Sequence, residues 1–230
     1  MSVVIKGNKN YLVDQKTFMA HFHAQALLLT AFKSTLLQGA LVFNSYVESL
    51  DLDEDDEDED ELVKPKEDKP VFVAPTPYEF AIKVEHTFVR MISNTTMLRS
   101  LEFVSLQVLD VRMAGKLMKD VTKSALRKYG RFNSTSVTAI RIAKTSFRAS
   151  ILSNSAVFLV EEIVDIIKTL FGLGKKDEDS KFIQRLLHAT RKCLFAILGT
   201  AVGSSVGTFL APGKGTFIGA FVGESIGYSL

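Results

Sequence analysis

The sequence predicts an all-α protein: a bundle-like helical region followed by a C-terminal helical hairpin in a membrane. Three observations favour it. Glycine recurs at every fourth position of the tail, the tail contains a long uncharged stretch, and no segment shows a convincing β-strand pattern. The predicted order along the chain is an apolar or amphipathic helix in 1–50, an acidic, proline-rich linker in 51–77, a central helical region in 78–176, and a basic helix leading into the hairpin in 177–230.

The first helix is predicted over residues 14–48. Lys33 is the only formal charge between Thr17 and Val47, and leucine is abundant in this stretch. Polar residues such as Asn44 interrupt it, so the pattern fits a core helix, a helix lying on a membrane, or a third membrane crossing.

The acidic residues of the chain are concentrated in the linker. Residues 51–61 hold ten of the 26 acidic residues, which leaves 28 basic residues against 16 acidic ones elsewhere. Four of the five prolines follow this run, so we expect an extended, disordered spacer. Outside the linker the chain is therefore basic, and such a charge favours binding to anionic lipid, nucleic acid or an acidic partner.

The central region is predicted to contain two long helices. The first covers residues 78–129 with a bend near 93–96, and Gly130, Asn133 and Ser134 form a stop followed by a new N-cap. The second, over residues 134–171, is amphipathic, and its acidic residues argue against a membrane crossing. We do not predict a nucleic-acid interface, because no stacking motif accompanies the basic residues. The predicted contacts to lipid head groups are Arg141, Lys144, Arg148, Arg191 and Lys192.

The hairpin prediction rests on a row of glycines. Residues spaced by four lie on one face of a helix, and a face without side chains lets a second backbone approach closely. Pro212 and Gly213 interrupt the row and are assigned to the turn. The residues predicted to pack the two limbs together are Gly199, Gly203, Gly207, Gly215, Gly219, Gly223 and Gly227.

The two limbs differ in length. Residues 193–213 are 21 residues without a charge, and at ~1.5 Å per residue they are long enough to cross a hydrocarbon core of about 30 Å. The second limb, 215–230, spans roughly 24 Å and requires tilt, thinning or a partial crossing. Basic residues directly before the first limb place that end in the cytosol. Glu224 is predicted as an intramembrane polar residue that faces a partner helix.

This tail resembles glycine-zipper membrane proteins, in which repeated Gly-x-x-x-Gly patterns pack hairpins or oligomers. The resemblance covers residues 193–230 and rests on the glycine row. It implies close helix packing in a membrane and indicates nothing about biochemical activity.

Motifs of catalysis are incomplete. The stretch 203–207 has the letters G-x-S-x-G, yet no strand precedes it and no histidine follows it. His21 and His23 point ~200° apart on a helix and cannot share a metal. A single cysteine, Cys193, excludes a disulfide framework within the chain. We therefore predict no catalytic residue, no metal and no cofactor.

The function expected from these features is a non-enzymatic, membrane-anchored scaffold or adaptor. It would lie on a cytosol-facing surface of a lipid droplet, mitochondrion, peroxisome or plastid envelope, with the bulk of the chain in the cytosol. Its expected partners are membrane lipids and a protein, including a second copy of the chain. Two alternatives are a channel or translocation component built from glycine-faced helices, and a soluble helical adaptor whose tail packs internally.

Overall fold

In this computed structural model, residues 11–50, 73–171 and 182–230 are described; they form seven α-helices and no strand. The all-α prediction is confirmed. The acidic run of the linker and the predicted loop near 172–181 lie outside the described residues. The helices are α1 Ala24–Ser49, α2 Pro77–Val108, α3 Val111–Leu117, α4 Val121–Phe132, α5 Thr135–Leu170, α6 Phe182–Leu210 and α7 Lys214–Ser229.

The chain divides into two compact units. One comprises residues 21–93, which include α1 and the first part of α2. In this unit, the Gln38 side chain donates a hydrogen bond to Thr87 Oγ1 at 2.6 Å, and Phe80 and Phe88 line an apolar cleft beside α1. Most large apolar side chains of α1 remain exposed.

Helix α1 begins about ten residues later than predicted. A short 3-10 helix, Phe18–Phe22, precedes it, and His23 adopts an extended backbone with φ −66° and ψ 144°. The extended residue interrupts the helical hydrogen bonding that the apolar pattern alone would continue. The linker prediction also ends one residue too late, since Pro77 opens α2, where its missing N–H has no helical partner to lose.

Helix α2 runs through the polar cluster at residues 93–96 to Val108, so the chain stays helical where the bend is predicted. Serine and threonine hydroxyls can bond to carbonyls of their own helix, as Ser100 does to Thr96 O at 3.0 Å. The break occurs instead at Asp110, whose ψ of 140° is not helical and whose carbonyl accepts a hydrogen bond from the Ala114 N–H.

The second unit contains residues 94–230 with residues 1–20, of which 11–20 are described. In α4, the Asp120 carboxylate caps the helix by accepting the Lys123 N–H at 3.0 Å. Gly130 lies inside α4, and the predicted stop falls at Asn133, which is left-handed with φ 46°.

Small residues form much of the interior of this unit. Helices α3, α4, α5 and α6 supply its buried apolar side chains, among them Ala139, Ile142, Ala196, Ile197 and Ala201. Two of its buried hydroxyls donate to the carbonyl four residues earlier: Thr138 bonds to Ser134 O and Thr200 to Ala196 O, both at 2.7 Å. Short side chains allow the helices to approach closely, which sets the geometry of the hairpin.

Candidate functional site

Helices α6 and α7 form an antiparallel hairpin whose glycines face each other. Gly199 lies against Gly223, Gly203 against Gly219, and Gly207 against Gly215. At each of these six positions, an added methyl group would approach a carbonyl oxygen of the opposite glycine more closely than 3.0 Å. Backbone therefore touches backbone, and only glycine fits.

The two ends of the hairpin are packed just as closely. A methyl group on Gly227 would lie 2.6 Å from Ala196 Cα, so Gly227 extends the contact to the start of α6's uncharged stretch. In the turn, Gly213 has a φ of 93°, which side chains rarely adopt. Pro212 directly precedes Gly213 in the sequence, and Leu126 of α4 packs against Gly213. The turn is thus held by α4.

A polar row runs along the side of the hairpin next to the glycines. Thr208 and Thr216 share a hydrogen bond of 2.7 Å, and Thr216 Oγ1 also accepts the Gly213 N–H at 3.1 Å. On the same face of α7, Tyr228 donates to Asn154 Oδ1 of α5 at 2.9 Å. Glu224 lies between Thr216 and Tyr228 in this row and is partly buried.

Helix α5 packs along α6 in the antiparallel direction. The Ser146 hydroxyl donates to Thr200 O at 3.3 Å, and the Ser205 hydroxyl donates to Ala139 O at 3.1 Å. These two bonds fix the register of the pair. Residues 139–146 of α5 therefore lie beside residues 200–205 of α6, in the middle of the uncharged stretch.

The outer face of the hairpin is apolar and uncovered. Its side chains are 48% to 76% exposed. Between them runs a groove of about 540 Å³ whose lining consists of glycine, valine, leucine and isoleucine, without a polar side chain. This surface, named the outer face from here on, consists of Leu194, Leu198, Val202, Val206, Leu210, Ile218, Val222 and Ile226.

The basic residues predicted on α5 face away from α6. Arg141 and Lys144 are exposed, Arg148 is partly exposed, and all three lie on the side of α5 opposite Ser146. The Arg141 guanidinium lies 4.2 Å from the centre of the Phe132 ring.

Lys128 of α4 joins this surface without having been predicted. Its amine donates to Arg141 O at 2.8 Å and to Thr145 Oγ1 at 2.6 Å. Burial, together with repulsion from Lys119, Arg141 and Arg127, lowers the pKa of Lys128 to about 8. The local sequence around Lys128 carries no signal for such a shift, because the burial depends on the packing of α4 against α5.

Arg191 and Lys192 form a separate basic group. The Arg191 guanidinium donates to Leu230 O at 3.2 Å and lies 5.3 Å from the centre of the Phe195 ring. By the register of α5 and α6, this group lies roughly 8 Å further along the helix pair than Arg148. The five predicted head-group contacts are therefore not a single cluster.

Two helices, α1 and α6, are long and apolar enough to cross a membrane. Within the three described ranges, no group of three or more histidine, cysteine, aspartate or glutamate side chains could hold a metal ion. No protein-family model matches the chain, and neither does any curated protein or solved structure.

Proposed function

We propose that this protein is a non-enzymatic, membrane-anchored scaffold or adaptor, held on a lipid surface by the α6–α7 hairpin. The observation that carries the proposal is the outer face, an uninterrupted apolar surface on two packed helices. Large exposed apolar patches on a folded protein mark contacts with proteins or membranes. Five of its eight side chains lie on α6, which has the length and composition of a membrane helix.

The magnitude of the apolar contribution supports lipid contact. Eight side chains of the outer face are each about half exposed or more. Transfer of each from water to hydrocarbon contributes about 1 kcal/mol, since complete burial of such side chains contributes ~1.5–3 kcal/mol. The outer face as a whole therefore favours lipid by about 8 kcal/mol, which is sufficient for stable attachment without a covalent lipid.

The rest of the chain supplies the scaffold. The basic residues of α5 contact anionic head groups, and the exposed apolar side chains of α1 offer a surface for a protein partner. We place the protein on a cytosol-facing organelle or lipid-droplet surface, with the basic start of α6 on the cytosolic side.

The proposal is tested by placing charge on the outer face. Val202→Asp combined with Ile218→Asp is expected to abolish co-flotation of the purified protein with phospholipid vesicles, since both side chains lie on the outer face and are at least 60% exposed. The matched control is Val108→Asp with Ile140→Asp, at apolar positions 76% and 74% exposed but outside the hairpin.

Retained flotation of the control pair and loss with the hairpin pair support the proposal. Equal flotation of the two pairs would exclude the outer face as the lipid contact. Failure of the unmodified protein to float would favour the soluble adaptor.

A further inference from the structure

Resting on the proposed function, we infer that the hairpin binds one lipid leaflet with α6 and α7 parallel to the membrane plane, rather than crossing the bilayer. The partner of the outer face is the acyl-chain boundary of a single leaflet. Two independent observations, on α5 and on α4, carry this inference, and the lysines at the two ends of the uncharged stretch are compatible with it.

The first observation is the depth at which α5 holds its cations. Ser146 is bonded to Thr200 and Ala139 to Ser205, and Arg141 and Lys144 lie between these two contacts. If residues 193–213 crossed a bilayer, both cations would lie at its centre. A cation there disfavours insertion by roughly 100-fold, so two disfavour it by roughly 10,000-fold.

The second observation is the packing of the hairpin turn. A crossing requires residues 211–213 to reach the far side of the bilayer. In the structure, Leu126 of α4 packs on Gly213, and α4 also carries Lys123 and Arg127, both more than half exposed. The turn could move through the hydrocarbon only with this charged helix attached to it.

The hairpin also has a cation at each end of its long limb, an arrangement that fits both orientations. Lys192 precedes the uncharged stretch, and Lys214, which is exposed, follows the turn. In a helix pair lying parallel to the membrane, both lysines extend their amines to the same layer of head groups. The polar row with Thr216 and Glu224 lies on a different side of α7 from Ile218 and Val222, so it need not enter lipid.

The groove in the outer face fits this orientation. It is floored by the facing glycines, and valine, leucine and isoleucine side chains form its walls. A leaflet supplies flexible acyl chains that fill such a groove without requiring a matching shape. Packing of α5 and α4 is then preserved, and their basic residues remain in the aqueous and head-group layers.

The test is accessibility of the turn in sealed vesicles. Cys193 is replaced by serine, and Lys214→Cys or Lys192→Cys is introduced into the full chain. After the protein is added to sealed vesicles of phosphatidylcholine and phosphatidylserine and the bound fraction is isolated by flotation, a membrane-impermeant maleimide is added outside. We expect both cysteines to react from outside at rates within about threefold of each other, unchanged when the vesicles are permeabilised.

Two outcomes would overturn the inference. If Cys at position 214 reacts only after permeabilisation, or stays more than tenfold slower than Cys at position 192 in both conditions, the hairpin crosses the bilayer or inserts its turn deeply. If neither variant nor the Cys193→Ser protein floats with vesicles, while all three keep the helix content of the unmodified chain, lipid contact itself is refuted and the proposed function fails with it.

Discussion

Alanine substitution of a facing glycine is the sharpest test of the hairpin packing. A methyl group on Gly203 would lie 2.9 Å from Gly223 Cα and closer still to the Gly219 carbonyl oxygen. Neither atom can move without moving a helix. Gly130, in α4 of the same unit, has nothing within 4 Å of the same added methyl group. The two positions therefore receive the same chemical change in opposite surroundings.

The expected effects have opposite signs. Gly130→Ala gains about 1 kcal/mol of helix propensity, which raises the midpoint of thermal unfolding by about 2–4 °C for a chain of this size. Gly203→Ala gains the same propensity, but overpacking against backbone costs about 1–3 kcal/mol. Its midpoint should therefore fall by up to about 8 °C below that of the unmodified protein.

The assay is thermal unfolding of the purified full-length chain in mild detergent, followed by far-ultraviolet circular dichroism. Gly219→Ala, on the opposite limb, should behave as Gly203→Ala does, because each methyl group meets the carbonyl of the other residue. A rise in the midpoint for Gly203→Ala as large as that for Gly130→Ala would refute backbone contact between the limbs.

Three further predictions concern polar groups. Because the pKa of Lys128 is about 8, roughly a quarter of its amines are neutral at a pH of about 7.5, against ~0.1% for an ordinary lysine. In a limited acylation experiment read by peptide mass spectrometry, Lys128 should therefore be labelled before the more exposed Lys123. Equal labelling rates would contradict the lowered pKa. The folded state disfavours the protonated amine, so stability should rise as pH increases through about 8 toward the unfolded value near 10.4; a fall in the unfolding midpoint over that interval would contradict it. Thr216→Val removes the acceptor of the buried Gly213 N–H, so it should lower the free energy of unfolding, measured with denaturant, by about 1–3 kcal/mol. The control is Thr169→Val, at an exposed hydroxyl that bonds within its own helix. It should lower the free energy of unfolding by less than about 0.5 kcal/mol.

The sequence was sufficient to predict the hairpin because its signal is local. Glycines four residues apart share one helix face whatever else the chain does, and Pro212 with Gly213 marks the turn between the limbs. The partner of each glycine follows from an antiparallel arrangement about that turn.

The errors came from features that local patterns do not encode. Residues 93–96 are typical of a helix break, yet α2 continues through them to Val108. Asp110, at the break between α2 and α3, has no neighbouring glycine or proline to signal it. The docking of α5 across the middle of α6 could not be predicted either. It depends on two hydrogen bonds whose partners are separated by 54 and by 66 positions in the sequence.

The most direct measurement of the central claim compares the full chain with a form that ends at Lys192. Both are expressed in cells with the same N-terminal tag, and the membrane and soluble fractions are separated after carbonate extraction. The account predicts that the full chain stays with the membranes and that removal of residues 193–230 releases the protein into the soluble fraction. An unchanged membrane fraction after truncation would contradict the claim and assign the anchor to α1, the other helix with the composition of a membrane span.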